Sequence, residues 1–130
     1  MTHNIPKVDA HEPPPVIDDT QEATWNIVIR KFQDEFDWSD TQAIVKLMQE
    51  RKEFGFSKHK TYLTPHNGRD SIVDAIQEQL DCVVYLMNAI IEEDDPVVKK
   101  FLGDSFDMSI LVLKNIFIAW EMKNKGGSTW

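Results

Sequence analysis

Two pairs of acidic residues are spaced for joint chemistry: Glu50 with Glu53, and Glu78 with Asp81. On an α-helix, residues three apart have Cβ atoms about 5–6 Å from each other, so the members of each pair project together. If the helices bearing them pack antiparallel, the pairs face one another. Four carboxylates so placed repel each other unless a cation compensates. Hard oxygen donors without His or Cys select Mg²⁺, with Mn²⁺ as the alternative, over zinc or copper. A single pair of this kind is more often an ordinary solvated helix face. Two details set these apart: Glu50 borders an apolar stripe of Ala43, Leu47 and Phe54, and Asp81 heads a nearly continuous apolar run ending at Ile91. Glu78 points away from the main stripe of its helix, so periodicity alone does not bury it.

Helices are the elements required to position such pairs, and the sequence patterns predict four. Asp19 and Glu22 have capping-box spacing, and Ala23 to Phe36 carries apolar residues at helical intervals, including Trp25, Ile29 and Phe32. Ser39 with Gln42 repeats the cap signature for a second helix, which Gly55 is expected to stop. The following loop, through Arg69, holds Lys58, Lys60 and Arg69 and no acid. Ser71 with Asp74 opens a third helix, apolar almost all round from Leu80 onward and therefore expected at the centre of a bundle. Asp94 or Asp95 before Pro96 starts the last helical region, which runs to about Lys123 with a potential break at Gly103. The expectation is one all-α domain over 19–124, a four-helix bundle, preceded by an extended or disordered arm over 1–18 and followed by a mobile tail over 125–130.

Composition narrows the function. The chain has 130 residues and a hydrophobic fraction of 42%, enough for one core. A net charge of -8 argues against broad contact with nucleic acid or an anionic membrane. No apolar run approaches the roughly 18 residues of a membrane span, and one cysteine, Cys82, read as core filler, fits a reducing compartment. A cytoplasmic protein is expected.

At the acidic pairs the chain resembles the MazG-like all-α NTP pyrophosphatases, a superfamily that includes dCTP pyrophosphatases and all-α dUTPases. The family pattern is EExxE, a connector, then ExxD. Here it reads Gln49-Glu50-Arg51-Lys52-Glu53 and Glu78-Gln79-Leu80-Asp81, with Tyr85 four residues on. The flanking segments LMQERKEF and EQLDCVVYL are similar to the corresponding family helices, as is FQDEF to the first. The likeness covers about residues 22 to 92. Gln49 departs from it, standing where many members have the first glutamate, a change that puts the number of metal ions and the identity of the base in question.

The resemblance implies an enzyme that hydrolyses a nucleoside triphosphate to monophosphate and pyrophosphate. It implies Mg²⁺ held by Glu50, Glu53, Glu78 and Asp81, with Glu50 or Glu53 as the base, and a homodimer or homotetramer. A small unit with a helix apolar on all sides points independently to pairing with another copy. The triphosphate's charge calls for cations, and Lys58, Lys60, Arg69, Lys114 and Lys123 are the candidates, with Tyr85 beside the acids. Trp25, Phe32 and Trp38 offer stacking surfaces for a base, although aromatics at helical spacing are more often core. His59 and His66 receive no catalytic role. Two alternatives compete: a non-catalytic nucleotide-binding module on the same scaffold, consistent with Gln49, and an acidic helical protein that engages a basic partner.

Overall fold

Local capping chemistry sets where the helices begin. Asp70 accepts hydrogen bonds through its side chain from the backbone N–H groups of Ile72 and Val73, at 3.1 and 3.2 Å, and so opens a helix over Ser71–Glu92. Asp95 does the same for Val97 and Val98 ahead of Pro96, opening Pro96–Asn124. A computed structural model describes residues 20–36 and 40–125 and gives four helices: α1 (Thr24–Glu35), α2 (Thr41–His59), α3 (Ser71–Glu92) and α4 (Pro96–Asn124). Among the described residues there is no strand, so the all-α expectation holds. No helix among them is long and apolar enough to cross a membrane. The expected arm, the Asp19 and Ser39 caps, Trp38 and nearly all of the tail lie outside the described residues.

Three boundaries differ from expectation. Gly55 does not stop α2, which runs on to His59 and ends where Lys60 takes a left-handed conformation, φ 60°, its N–H bonded to the Phe56 carbonyl. A glycine inside a helix costs only about 1 kcal/mol, and the helical hydrogen bonds on either side outweigh it. Gly103 likewise leaves α4 unbroken, and the turn around it is braced by Lys100 Nζ at 3.1 Å from Asp104 Oδ2 and by Ser105 Oγ donating to the Phe101 carbonyl. The cap of α3 is Asp70, one residue earlier than Ser71, because its carboxylate serves two amides at once.

The chain divides into two compact units, with described residues 20–36 and 40–69 in one and 70–125 in the other. In the second unit α3 and α4 form an antiparallel hairpin, since Val73 and Ile76 pack with Trp120 while Gln79 and Cys82 meet Ser109. Leu113, Ile116 and Phe117, partly buried, pack against that core; a fully buried side chain of this kind contributes roughly 1.5–3 kcal/mol, and these contribute less. Cys82 is half-buried, 3.9 Å from the Ser109 hydroxyl. Glu121 is only 3% exposed and lies 3.1 Å from Lys125 Nζ. The remainder of α3 corrects the expectation of a central helix: Val84, Tyr85 and Ile91 are exposed, Ile91 at 71%. The face of α3 used by α4 carries Val73, Ile76, Gln79 and Cys82, and a helix apolar all round needs cover on more than that one face.

In the first unit α1 and α2 pack together with Ile29 and Val45 buried, and Thr41 Oγ1 donates to the Phe36 carbonyl at 3.2 Å. The connector after α2 returns to α1, where the Thr24 N–H donates to the Leu63 carbonyl at 2.8 Å. Asn67 is 4% exposed, and its Oδ1 accepts from the Arg69 N–H at 3.0 Å.

Candidate functional site

The first acidic pair stands on the outer face of α2. Glu50 and Glu53 are both exposed, one helical turn apart, beside a stripe of Ala43, Leu47 and Phe54 that is itself exposed, Leu47 at 61%. Arg51 lies over the Phe54 ring at 4.9 Å. Glu53 has a partner that sequence reasoning missed: the Tyr62 hydroxyl donates to its carboxylate, 3.1 Å from Oε1 and 3.2 Å from Oε2. That contact raises the Tyr62 phenol above its ordinary value of 10.0, first through the hydrogen bond, then through burial and the negative charge of Glu53. The ring is held from two directions, by Phe56 at 4.5 Å between centroids and by Lys52 Nζ at 4.8 Å. No spacing rule links a helical glutamate to a tyrosine beyond the helix end, which is why the pattern analysis passed over Tyr62.

Behind this face lies a small cavity lined by Trp25, Lys52, Phe56, His59, Thr61 and Leu63. Its walls are mostly apolar, with Lys52 and His59 among the lining residues. Trp25 is thus neither fully buried core nor free surface. Phe32 packs on Phe36, the residue that caps the C-terminal end of α1, at 4.9 Å.

The second pair, Glu78 and Asp81, occupies an exposed face of α3, and Tyr85 follows one turn later at 69% exposure. The two acidic pairs belong to different compact units. Among the described residues, no group of three or more His, Cys, Asp or Glu could hold a metal ion. Magnesium in general keeps several waters and binds through one or two carboxylates together with substrate phosphates.

The basic candidates are distributed differently from expectation. Lys58 is in the last turn of α2 and Lys60 is its C-terminal cap, so neither belongs to a free loop; both are exposed. Arg69 is half-buried in the connector, while Lys114 and Lys123 are exposed on α4. Comparison with protein-family models, curated proteins and solved structures finds no match to this chain.

Proposed function

We propose that the chain is a Mg²⁺-dependent nucleoside triphosphate pyrophosphohydrolase of the MazG-like kind, releasing a nucleoside monophosphate and pyrophosphate. The observation that carries this reading is that both halves of the resembling motif lie on regular helices with all four acidic side chains, Glu50, Glu53, Glu78 and Asp81, exposed to solvent. Magnesium, or manganese in its place, would neutralise phosphate charge and acidify a water when bound. Glu50 or Glu53 accepts the proton of the attacking water. Lys58 and Lys60 supply positive charge for the phosphates from the end of α2, and Arg69, Lys114 and Lys123 are further candidates. Tyr85 stands on the acidic face of α3 as a hydrogen-bond donor to the substrate. The Trp25 cavity provides an apolar seat for a base, with Lys52 among its lining residues.

A homodimer or homotetramer is part of the proposal. Exposed apolar stripes flank both acidic pairs, Leu47 and Phe54 on α2 and Val84 and Ile91 on α3, and a second copy would remove them from water. A cytoplasmic setting fits a nucleotide substrate and a lone free thiol.

The test is a panel of dNTPs and NTPs assayed for pyrophosphate release with and without Mg²⁺. Turnover of at least one nucleotide is expected, falling by about 10²-fold or more in folded Glu53→Gln or Asp81→Asn variants. Absence of turnover across canonical and modified nucleotides rejects the enzyme. The second reading, a nucleotide-binding module without turnover, is favoured by Gln49, an amide on the exposed face of α2 where the pattern calls for a carboxylate. Tight nucleotide binding without hydrolysis selects it, and binding to a basic protein alone selects the interaction module.

A further inference from the structure

A stripe along α4 recurs at alternating intervals of four and three residues from Val97 to Met122. Every member but the half-buried Ile118 is exposed, Phe101 at 68% and Leu111 at 59%. At about 100° per residue the stripe spans an arc of roughly 100°. It lies on the far side of the helix from Leu113, Phe117 and Trp120, which pack with Val73 and Ile76 of α3. A repeat averaging about 3.5 residues is that of a coiled-coil seam, so the stripe is shaped for another helix.

We propose that its occupant is the same stripe of a second copy, running antiparallel about a two-fold axis between Met108 and Leu111; this rests on the homo-oligomer proposed above and names its contact. A two-fold interface must be complementary to itself. Intervals of four and three read the same from either end of the stripe. Antiparallel pairing therefore sets Met108 against the partner's Leu111, Phe101 against the partner's Ile118 and Val97 against the partner's Met122. The two polar members of the stripe, Asp104 and Asn115, then meet each other. The Asn115 amide donates to the partner's Asp104 carboxylate, which within its own chain lies 3.1 Å from Lys100 Nζ. A parallel pairing sets each Asp104 against its own copy, carboxylate against carboxylate, which is repulsive.

Charges at the edges agree with the antiparallel register. Asp107 and Lys114, both exposed, each precede a stripe member by one residue, and Asp107 falls beside the partner's Lys114 on both sides of the axis. Lys100 and Glu121, on the same edge, are engaged within the chain by Asp104 and Lys125. The other edge, Val98, Ser105, Val112 and Ala119, carries no charge.

The register is tested with disulfides in a Cys82→Ala background of the full chain, which removes the native thiol. Asp104→Cys co-expressed with Asn115→Cys should give an oxidised dimer on a non-reducing gel, and neither variant alone should, because like positions then stand roughly 16 Å apart along the axis. Both positions are exposed, so the folded chain accepts the substitutions. The second measurement is the dimer dissociation constant by sedimentation. Asp107→Lys and Lys114→Asp should each weaken the dimer about 10-fold, and the double reversal should return it to within about 3-fold of wild type. These residues lie about 10 Å apart along one helix, so recovery reports a contact between copies. Disulfides in the single-variant samples, or in none, overturn the antiparallel seam and leave the oligomer standing, as does a double reversal no tighter than the single ones. A monomeric wild type overturns both.

Discussion

At the level of single residues, the acidic side chains were legible and their surroundings were not. The i,i+3 spacing of Glu50 with Glu53 and of Glu78 with Asp81 follows from helical geometry, and the helices observed there preserve it. Tyr62 was invisible because its meeting with Glu53 depends on the conformation of Lys60, a lysine in a region of backbone space that usually selects glycine or asparagine. The raised phenol fixes the sign of a pH effect. Stability from the Tyr62–Glu53 contact is complete below 10.0, the ordinary phenol value, and is lost as the pH rises through the higher folded value. The chain has two tyrosines, so a Tyr85→Phe background isolates Tyr62. Tyrosinate absorbance in that background should rise at higher pH than in Tyr85→Phe/Glu53→Ala, and coincident curves would show that the contact is not made in solution.

At the level of elements, four helices could be read from apolar periodicity and cap residues, and the errors fell at glycines. Gly55 and Gly103 both resemble helix ends in sequence, yet both lie inside continuous helices. A glycine ends a helix only where the backbone must turn left-handed, and neither position requires that; Lys60 takes that role instead. A Cβ added at Gly103 meets nothing within 4 Å, so Gly103→Ala should stabilise the protein by about 0.5–1 kcal/mol. The urea midpoint would move upward with an unchanged slope. A lower midpoint would mean that the backbone at Gly103 is not helical in solution.

At the level of the whole molecule, apolar periodicity gave the all-α class and composition a capacity for a core, but neither gave what covers the rest of the apolar surface. Periodicity reports which residues are apolar; it does not report whether their cover comes from the same chain or another. Val84 and Ile91 on α3 and Phe101, Met108 and Leu111 on α4 are all exposed. Stripes of this extent on a helical hairpin are normally removed from water by association. Light scattering coupled to gel filtration should give a mass at least twice that of the chain, and Leu111→Glu with Phe101→Glu should reduce it to that of a monomer. A monomeric wild type at micromolar concentration would refute the oligomer and leave the stripes for another partner.

The buried amide of Asn67 bears on how the molecule ages. An asparagine followed by glycine, here Gly68, is open to attack on its side-chain carbonyl by the next backbone nitrogen, which expels the side-chain nitrogen as ammonia and closes a succinimide that water opens to isoaspartate and aspartate. Clamped by the Arg69 amide and shielded from solvent, Asn67 cannot readily swing into that reaction while the connector stays folded. Isoaspartate at this one position, quantified by mass spectrometry of stored samples, would therefore serve as a chemical clock for how often the segment between α2 and α3 opens.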